Sequence, residues 1–409
     1  MKVRKVTSAA VAITAMLALA ACGSSSAGSS SASAGSSTAS AGGSSGSASS
    51  SSASASGSGS GNPVTIGIIQ PYTGDSAYYG QYANEAFKLA MSKYGSTPGG
   101  HTIKFVRGDS KCTPTDAVQA VHQILSSQPV AVLDPACSGD TLAIEPALQA
   151  QGIASCSINL APSITHPGGD VVRVAPSDAA TNKLFAKYIA SKGVKKIGII
   201  GDTSGYGEGN TSTLASALKA NGVQVVVNAT YDFSATDYSG QILKLKQAGV
   251  DAAYFEGYDL EVGQLVKQAK QLQLNVPYFA NTNAGNETAG KAAGSALNGV
   301  LFATAFLPDA SPAMKSLTTT WQSTFHQAPN ADSVDLYQCA VTLLKAIGAA
   351  GSNATAQSVN QAVKKVAAPG VTVGTISFGS SGDLTDPPVL IGTWRGGKTA
   401  LVTRLAGQP

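Results

Sequence analysis

The residues best placed to do chemistry at one point are Ser138, Gly139, Asp140 and Thr141, between an apolar strand and a helical segment. At such a junction the free backbone N–H groups and the helix dipole favour a carboxylate or another anion. A serine at a helix start is also a common N-cap. The segment therefore has two interpretations at this stage, an anion-binding loop and a plain helix cap.

Patterns that indicate catalysis or metal binding are missing from the sequence. The folded part contains no G-x-S-x-G elbow and no P-loop, and Gly205–Gly209 is not a dinucleotide fingerprint. No two of the four histidines have the i, i+4 spacing of a helical metal site; they are His101, His122, His166 and His326. Without a nucleophile or base cluster we expect a protein that is not an enzyme and that uses no metal or cofactor.

Four of the five cysteines lie in the part of the chain that we expect to fold. Cys112 follows the second predicted strand and Cys137 the third, and neighbouring strand ends are close enough for a bridge. We predict a Cys112–Cys137 disulfide, the alternative being two free buried thiols. Cys156 follows the fourth strand and Cys339 lies inside a helix. Each is either a small buried apolar residue or half of a second pair.

The N-terminus has the pattern of an export signal. Met1–Lys5 is basic, Val6–Ala21 is uncharged and apolar, and Leu19-Ala20-Ala21-Cys22 resembles a bacterial lipobox. We predict a signal peptide over residues 1–21 and a lipid on Cys22, the alternative being an ordinary signal peptide with an incidental cysteine. The expected location is the extracytoplasmic face of the cell membrane, where the protein would be lipid-anchored.

The segment over residues 22–61 has the composition of a tether. After Cys22 every residue is Ser, Gly or Ala except Thr38. Such a chain buries no core and stays a flexible coil, with a root-mean-square reach of about 35 Å.

Charge and hydropathy exclude two classes of protein. The net charge is +4, and without Lys2, Arg4 and Lys5 the chain has 24 basic against 23 acidic residues. This balance excludes a nucleic-acid partner and an acidic membrane surface. The only apolar run near membrane length is at the N-terminus, which excludes a multi-span membrane protein. Contact with the membrane is therefore expected through the lipid anchor alone.

Residues 62–409 alternate short apolar strands with amphipathic helices, which is typical of α/β proteins with parallel sheets covered on both faces. The first predicted strands are Val64–Gln70, Thr102–Arg107, Val130–Leu133, Ile153–Cys156 and Val171–Val174. The pattern restarts at Lys195–Ile200 and continues near Val223–Val227, Ala252–Phe255, Val276–Phe279 and Val300–Ala303. These are too many strands for one sheet, so we predict two doubly wound lobes.

The chain after residue 310 has a different order. Three helices are predicted in succession, at Pro312–His326, Asp332–Gly348 and Ala356–Ala367. Short β segments follow at Val371–Phe378, Val389–Trp394 and Thr399–Thr403, the last two around Gly396 and Gly397.

Seven short motifs, in this order along the chain, resemble the leucine/isoleucine/valine-binding protein family. These are type I periplasmic binding proteins that serve ABC importers. The motifs are Pro71–Gly80, Asp109–Pro114, Ala136–Thr141, Arg173–Asp178, Gly205–Gly209, Asp237–Ala248 and Glu256–Glu261. Each motif alone is weak, whereas their collinear order over essentially all of residues 62–409 is strong. The two cysteine motifs resemble that family's disulfide pair.

The resemblance implies two lobes joined by three crossing strands, with the ligand in the cleft between them. The N-terminal lobe would comprise residues 62–176 and 310–375. The C-terminal lobe would comprise residues 177–309 and 376–409, because the tail would return to it.

The resemblance also implies a set of ligand-binding residues. Ser138 aligns with the family's carboxylate-binding serine, which favours the anion-binding interpretation. Asn159, Leu160 and Ala161 follow the fourth strand, where the family has a loop that contacts the ligand amino group. That loop is shortened here and lacks its threonine, so backbone contacts are expected. Aromatic residues at family positions that line the cleft, with lobe-surface packing as the alternative, are Tyr79, Tyr206 and Tyr258.

Asn283 departs from the family, whose amino-acid binders have an acid at this position for the ligand's ammonium. Losing that charged hydrogen bond typically costs about 1.5–3 kcal/mol. Either Glu256 or Asp259 substitutes, or the ligand is an amide, a urea-like compound or a carboxylate without an amino group. Glu256 and Asp259 could equally be solvated loop charges.

The resulting expectation is a monomeric solute-binding lipoprotein that captures a small polar ligand and delivers it to an ABC permease. The mechanism would be hinge closure around the ligand. The alternative is a ligand-sensing receptor domain for a membrane signalling partner. An exported enzyme is the third hypothesis, and it has no catalytic constellation to support it.

Overall fold

The computed structural model describes residues 61–406. The predicted signal peptide, the lipid site at Cys22 and the predicted tether, except for its last residue, lie outside the described residues. No helix within residues 61–406 is long and apolar enough to cross a membrane. The described chain is an α/β fold with two large sheets, as the alternation of strands and helices predicted.

The first sheet is parallel and has the strand order β2-β1-β3-β4-β5. Its strands are β1 (Gly61–Gln70), β2 (His101–Asp109), β3 (Ala131–Leu133), β4 (Ala154–Ser157) and β5 (Val171–Arg173). Helices α1 (Tyr78–Tyr94), α2 (Pro114–Leu125) and α3 (Ser138–Gln149) cover it. In β1, Ile66 and Ile68 belong to the same buried cluster as Phe87 of α1, whereas Ile69 clusters with Val121 of α2. Burial on both faces explains the continuous apolar run of this strand.

The second sheet begins with five parallel strands. They are β6 (Lys196–Asp202), β7 (Gln224–Tyr231), β8 (Ala252–Phe255), β9 (Tyr278–Ala280) and β10 (Leu301–Thr304). The accompanying helices are α4 (Asp178–Ser191), α5 (Gly205–Ala220), α6 (Ser239–Gln247), α7 (Asp259–Gln271) and α8 (Glu287–Ala293). Ile197 and Ile199 of β6 pack with Phe185 of α4 and Leu214 of α5, whereas Ile200 clusters with Leu245 of α6. This sheet is therefore also buried on both faces.

Three helices follow the second series of strands: α9 (Pro312–Phe325), α10 (Ala331–Ala349) and α11 (Ala356–Val363). Helix α10 packs against α1 and β4, and α11 packs against β3 and β4, so both lie on the first sheet. Local signals explain where they start. The Ser311 hydroxyl accepts a hydrogen bond from the Met314 N–H at 3.2 Å, and Asn330 and Ser333 form a capping box.

The last part of the chain returns to the second sheet. After the two-residue strands β11 (Ala368–Pro369) and β12 (Thr375–Ile376) come β13 (Val389–Arg395) and β14 (Lys398–Ala406). The complete order is β14-β13-β10-β9-β8-β6-β7, with β13 antiparallel to both of its neighbours. Gly396 and Gly397 have φ angles of 56° and 78°, which a tight hairpin turn favours. The predicted strand Val371–Phe378 is much shorter in the structure.

Three segments connect the elements of the two sheets, at residues 174–177, 305–311 and 377–388. They run without regular strand structure, and isolated bridges join Arg173 to Asp383 and Phe378 to Leu384. The lobe boundaries given above stay a prediction.

Both possible disulfides are present. Cys112 pairs with Cys137 as predicted, with Cα atoms 5.5 Å apart, although β2 and β3 are not neighbours in the sheet. The chain reaches across the end of β1 because Lys111 and Cys112 adopt positive φ angles of 50° and 61°. The sequence left open whether Cys156 and Cys339 pair. They form a disulfide between β4 and α10, and their Cα atoms are also 5.5 Å apart.

Removing the Cys156–Cys339 disulfide is expected to destabilise the protein more than removing Cys112–Cys137. The first closes a span of 183 residues and the second a span of 25. Loop-closure entropy then predicts roughly 2 kcal/mol more stabilisation from the longer span. Urea unfolding of Cys156→Ala/Cys339→Ala and of Cys112→Ala/Cys137→Ala measures the difference. An equal loss in the two double variants would contradict the expectation.

Candidate ligand-binding site

The candidate site lies where the carboxyl ends of the two parallel sheets face each other. Helix α3 begins at Ser138, directly after β3, and helix α5 begins at Gly205, directly after β6. A Cβ atom on Gly205 would lie only 3.6 Å from the Cα of Gly139. The starts of two helices, one from each sheet, therefore meet across a narrow cleft. Both carry the partial positive charge of a helix N-terminus.

One cavity at this point contains most of the predicted site residues. Its volume is ≈ 20 Å³, room for about one water molecule. Seven of the eight residues proposed from the sequence line it, and they are Tyr79, Ser138, Asn159, Leu160, Tyr206, Tyr258 and Asn283. The eighth, Ala161, is buried elsewhere with Ile164 and Val171, because the chain turns away at Pro162. Its carbonyl accepts a hydrogen bond from Arg173 Nη1 at 2.7 Å.

The side chain of Asn159 fixes the loop that precedes α3. Its Nδ2 donates to the carbonyl of Pro135 at 2.7 Å and to the hydroxyls of Thr141 and Ser157 at 2.8 and 3.0 Å. The Ser138 hydroxyl is 3.5 Å from Asn159 Oδ1, a long contact that leaves it available to a ligand. Asn159 thus has a positioning role, whereas Ser138 and the first turn of α3 offer donors to an anion.

An apolar wall crosses the cleft. The buried Cys137 clusters with Tyr206 and Tyr258, which come from the second sheet. The two tyrosine rings have centroids 5.3 Å apart in an edge-to-face arrangement. Burial raises the pKa of both tyrosines well above the usual value, so their hydroxyls are neutral donors. The Cys112–Cys137 disulfide therefore forms part of the ligand cavity's surroundings.

The asparagines after β9 turn their amide nitrogens towards one carbonyl. Asn281 Nδ2 and Asn283 Nδ2 donate to the carbonyl of Gly257 at 2.7 and 2.9 Å, and Asn281 Nδ2 also contacts the Tyr206 hydroxyl at 3.0 Å. Because the nitrogens are engaged, the amide oxygens are the atoms left for a ligand. An amide oxygen accepts hydrogen bonds but carries no charge, so Asn283 offers an ammonium a weaker partner than an acid would.

Glu256 and Asp259 were suggested as replacements for the acid that the family has at position 283. Neither of them lines the cavity. Glu256 is fully buried and accepts a hydrogen bond from the Asp202 N–H at 3.1 Å. Asp259 is fully buried and accepts one from Asn286 Nδ2 at 2.9 Å. The interpretation of these two residues as solvated loop charges is wrong, because neither side chain reaches solvent. Burial raises the pKa of both carboxyl groups well above the usual range.

Asp332, in the first turn of α10, is an acid in the cavity that the sequence analysis missed. Acidic residues are common near helix N-termini because they interact favourably with the helix dipole. The sequence position of Asp332 therefore does not indicate that it lines a cavity. Its Oδ2 accepts a hydrogen bond from Asn286 Nδ2 at 2.7 Å, and burial raises its pKa to about 6.

An inner chamber adjoins the cavity and shares Ile158, Leu160 and Asp332 with it. Its volume is ≈ 30 Å³. Its polar lining includes Asp178, Asn182, Asn210, Asn281 and Asp335. Within residues 61–406 no group of three or more His, Cys, Asp or Glu residues is arranged to hold a metal ion.

A family model described as "Periplasmic binding protein" matches residues 63–398. The Leu/Ile/Val-binding protein BraC3 of Rhizobium johnstonii is 26% identical over 340 residues, which cover 82% of this chain and 92% of that protein. The leucine-, isoleucine-, valine-, threonine-, and alanine-binding protein of Pseudomonas aeruginosa is 26% identical over 339 residues, covering 81% and 90% of the two chains. Both relatives are named as binding proteins.

Two solved structures have the same fold. The leucine-binding protein LivK of Thermotoga maritima superposes with a TM-score of 0.77 at 23% identity, over 84% of this chain and 98% of that one. A solute-binding protein of an ABC transporter from R. palustris, in complex with benzoate, gives a TM-score of 0.79 at 18% identity, over 84% and 97%. With the family model matched from residue 63 to residue 398, this chain belongs to the periplasmic binding protein family, in its leucine/isoleucine/valine-binding, type I group.

Proposed function

We propose that the protein is an extracytoplasmic solute-binding lipoprotein that captures a small polar ligand for an ABC importer. The observation that carries the proposal is the cavity at the carboxyl ends of both sheets, with the start of α3 on one side and Tyr206 and Tyr258 on the other. Ligands of open α/β sheets bind at this edge. The lipobox-like segment ending at Cys22 supports anchoring at the membrane.

The ligand classes under consideration follow from the site and from the relatives. The relatives are named for leucine, isoleucine, valine, threonine and alanine, and one structural neighbour holds benzoate. All of these carry a carboxylate, which suits the donors at the start of α3. Calorimetric titration with amino acids, amides, urea and small carboxylates tests the function. Failure of every compound to bind would count heavily against a role in uptake.

The proposed mechanism is closure of the cleft around the ligand. Ser138 and Tyr206 come from different sheets, so a ligand that contacts both stabilises the closed arrangement over an open one. The ligand would be released unchanged to the ABC permease.

Replacing Ser138 with alanine is expected to weaken a carboxylate ligand about tenfold or more, because a hydrogen bond to a charged group is lost. The matched control is Ser239→Ala, which removes a hydroxyl from the first residue of α6, outside the cavity. Calorimetry on both variants and the unmodified protein measures the change. Unchanged affinity in Ser138→Ala would remove this residue from the site.

A further inference from the structure

A side-chain hydrogen bond joins the layers of the two sheets without passing through any of the three connecting segments. Asn286 lies between β9 and α8, and its Nδ2 donates to Asp332 Oδ2 at 2.7 Å. Asp332 is in the first turn of α10, which packs on the first sheet, whereas β9 belongs to the second sheet. The bond therefore holds the two sheets at their present separation.

The Asn286 side chain makes this bond instead of a local one. Asn286 occupies the N-cap position of α8, where an asparagine side chain ordinarily accepts a hydrogen bond from its own helix, but it makes no capping bond here. The same nitrogen also donates to Asp259 Oδ1 at 2.9 Å, so Asp259, at the start of α7, orients the amide towards Asp332. Losing a cap typically costs about 1 kcal/mol. A buried side chain that breaks this local rule for a bond to the other sheet indicates a role in holding the sheets together.

The separation that this bond maintains is too small for a ligand. The cavity has room for about one water molecule, and the volume of the inner chamber is ≈ 30 Å³. The sheets are also close at a second point, because a Cβ on Gly209 of α5 would lie 3.2 Å from Pro162 Cδ. Leucine and benzoate are each many times larger than a water molecule. The sheets must therefore move apart before such a ligand enters, and the Asn286–Asp332 bond opposes this movement.

We propose that the Asn286–Asp332 hydrogen bond is an autoinhibitory contact, which keeps the cleft closed against its own ligand. The apparent affinity of such a protein is its intrinsic affinity reduced by the fraction of molecules that are open. The inference rests on the proposed function, because it concerns access to the same site. It adds to that function a closed state from which the ligand is excluded.

The test is Asn286→Ser, which removes the amide and leaves a hydroxyl, itself a favourable N-cap for α8. L-Leucine, benzoate and every other compound that binds in the calorimetric screen are titrated into the variant and into the unmodified protein. Each is expected to bind the variant about two- to tenfold more tightly, which is the range that one hydrogen bond corresponds to. Stopped-flow measurements should show faster association and unchanged dissociation, because the bound state lacks the Asn286–Asp332 bond in both proteins.

The matched control is Asn298→Ser, at an exposed asparagine outside the cavity, and it should bind as the unmodified protein does. A damaged fold would lower the affinity, so a gain in Asn286→Ser separates the proposed role from a purely structural one. Small-angle X-ray scattering gives a second readout that needs no ligand. Ligand-free Asn286→Ser should have a larger radius of gyration than the unmodified protein. Should this variant not fold, the unmodified protein decides, since its radius of gyration should not fall when ligand is added.

The proposal is overturned if folded Asn286→Ser binds no compound more tightly than the unmodified protein does. It is also overturned if the gain comes only from slower dissociation, which would mean that the freed Asp332 contacts the ligand. Both results leave the solute-binding function intact. If no compound binds the unmodified protein, the proposed function fails, whereas scattering still tests the inference. Equal radii of gyration for the unmodified protein and Asn286→Ser would then overturn it.

Discussion

Replacing Gly205 with tryptophan is expected to weaken ligand binding by about a hundredfold or more, because the ring would hold the cleft open. At this position there is room for a Cβ, 3.6 Å from Gly139, and for little else. A bulky side chain would keep the starts of α3 and α5 apart. The ligand would then contact the residues of only one sheet at a time. Calorimetry with the compound that binds best in the screen measures the loss.

The control for this variant is Gly240→Trp, at the second residue of α6. A Cβ on Gly240 has open space around it, so the ring would point into solvent. Thermal unfolding should show both variants folded, since Gly205 does not require a positive φ angle. Wild-type affinity in folded Gly205→Trp would contradict closure of this cleft as the binding mechanism.

Replacing Arg173 with methionine is expected to lower the free energy of unfolding by about 3 kcal/mol or more. Arg173 is 1% exposed, and its guanidinium donates to Asp383 Oδ1, to Thr165 Oγ1 and to the carbonyls of Ala161 and Asn159. Methionine fills similar space but makes none of these bonds, which leaves buried acceptors unsatisfied. Urea unfolding measures the loss.

The control is Arg395→Met, since Arg395 is exposed at the end of β13. This variant is expected to change the free energy of unfolding by no more than about 0.5 kcal/mol, as most surface substitutions do. The Arg173 variant should also bind ligand more weakly, because Asn159 lines the cavity. If Arg173→Met lowers the free energy of unfolding no more than Arg395→Met does, the hydrogen bonds from Arg173 do not stabilise the connection between β5 and residue 383.

Local signals in the sequence were sufficient for most elements. The apolar run Val64–Gln70 and the helix predicted at Pro312–His326 correspond to β1 and α9. The predicted Cys112–Cys137 disulfide is also present, but through a turn with positive φ angles at non-glycine residues, which the sequence pattern does not indicate.

Features that depend on contacts between distant segments were not predictable in the same way. Cys156 and Cys339 are 183 residues apart, and nothing local shows that α10 lies against β4. Asp332 was missed for the same reason, since its position in the cavity follows from how α10 packs. Ala161 was placed in the site because it follows β4, but the turn at Pro162 carries it away.

The most direct test of the account is a crystal structure of the protein with the compound that binds best in the calorimetric screen. We predict ligand density in the cavity between Ser138 and Tyr206, with a ligand carboxylate at the start of α3. A larger groove lined by Phe306, Lys315 and Trp394 has a volume of ≈ 410 Å³ and offers a competing location. Ligand in that groove, with the cavity between the sheets empty, would contradict the account.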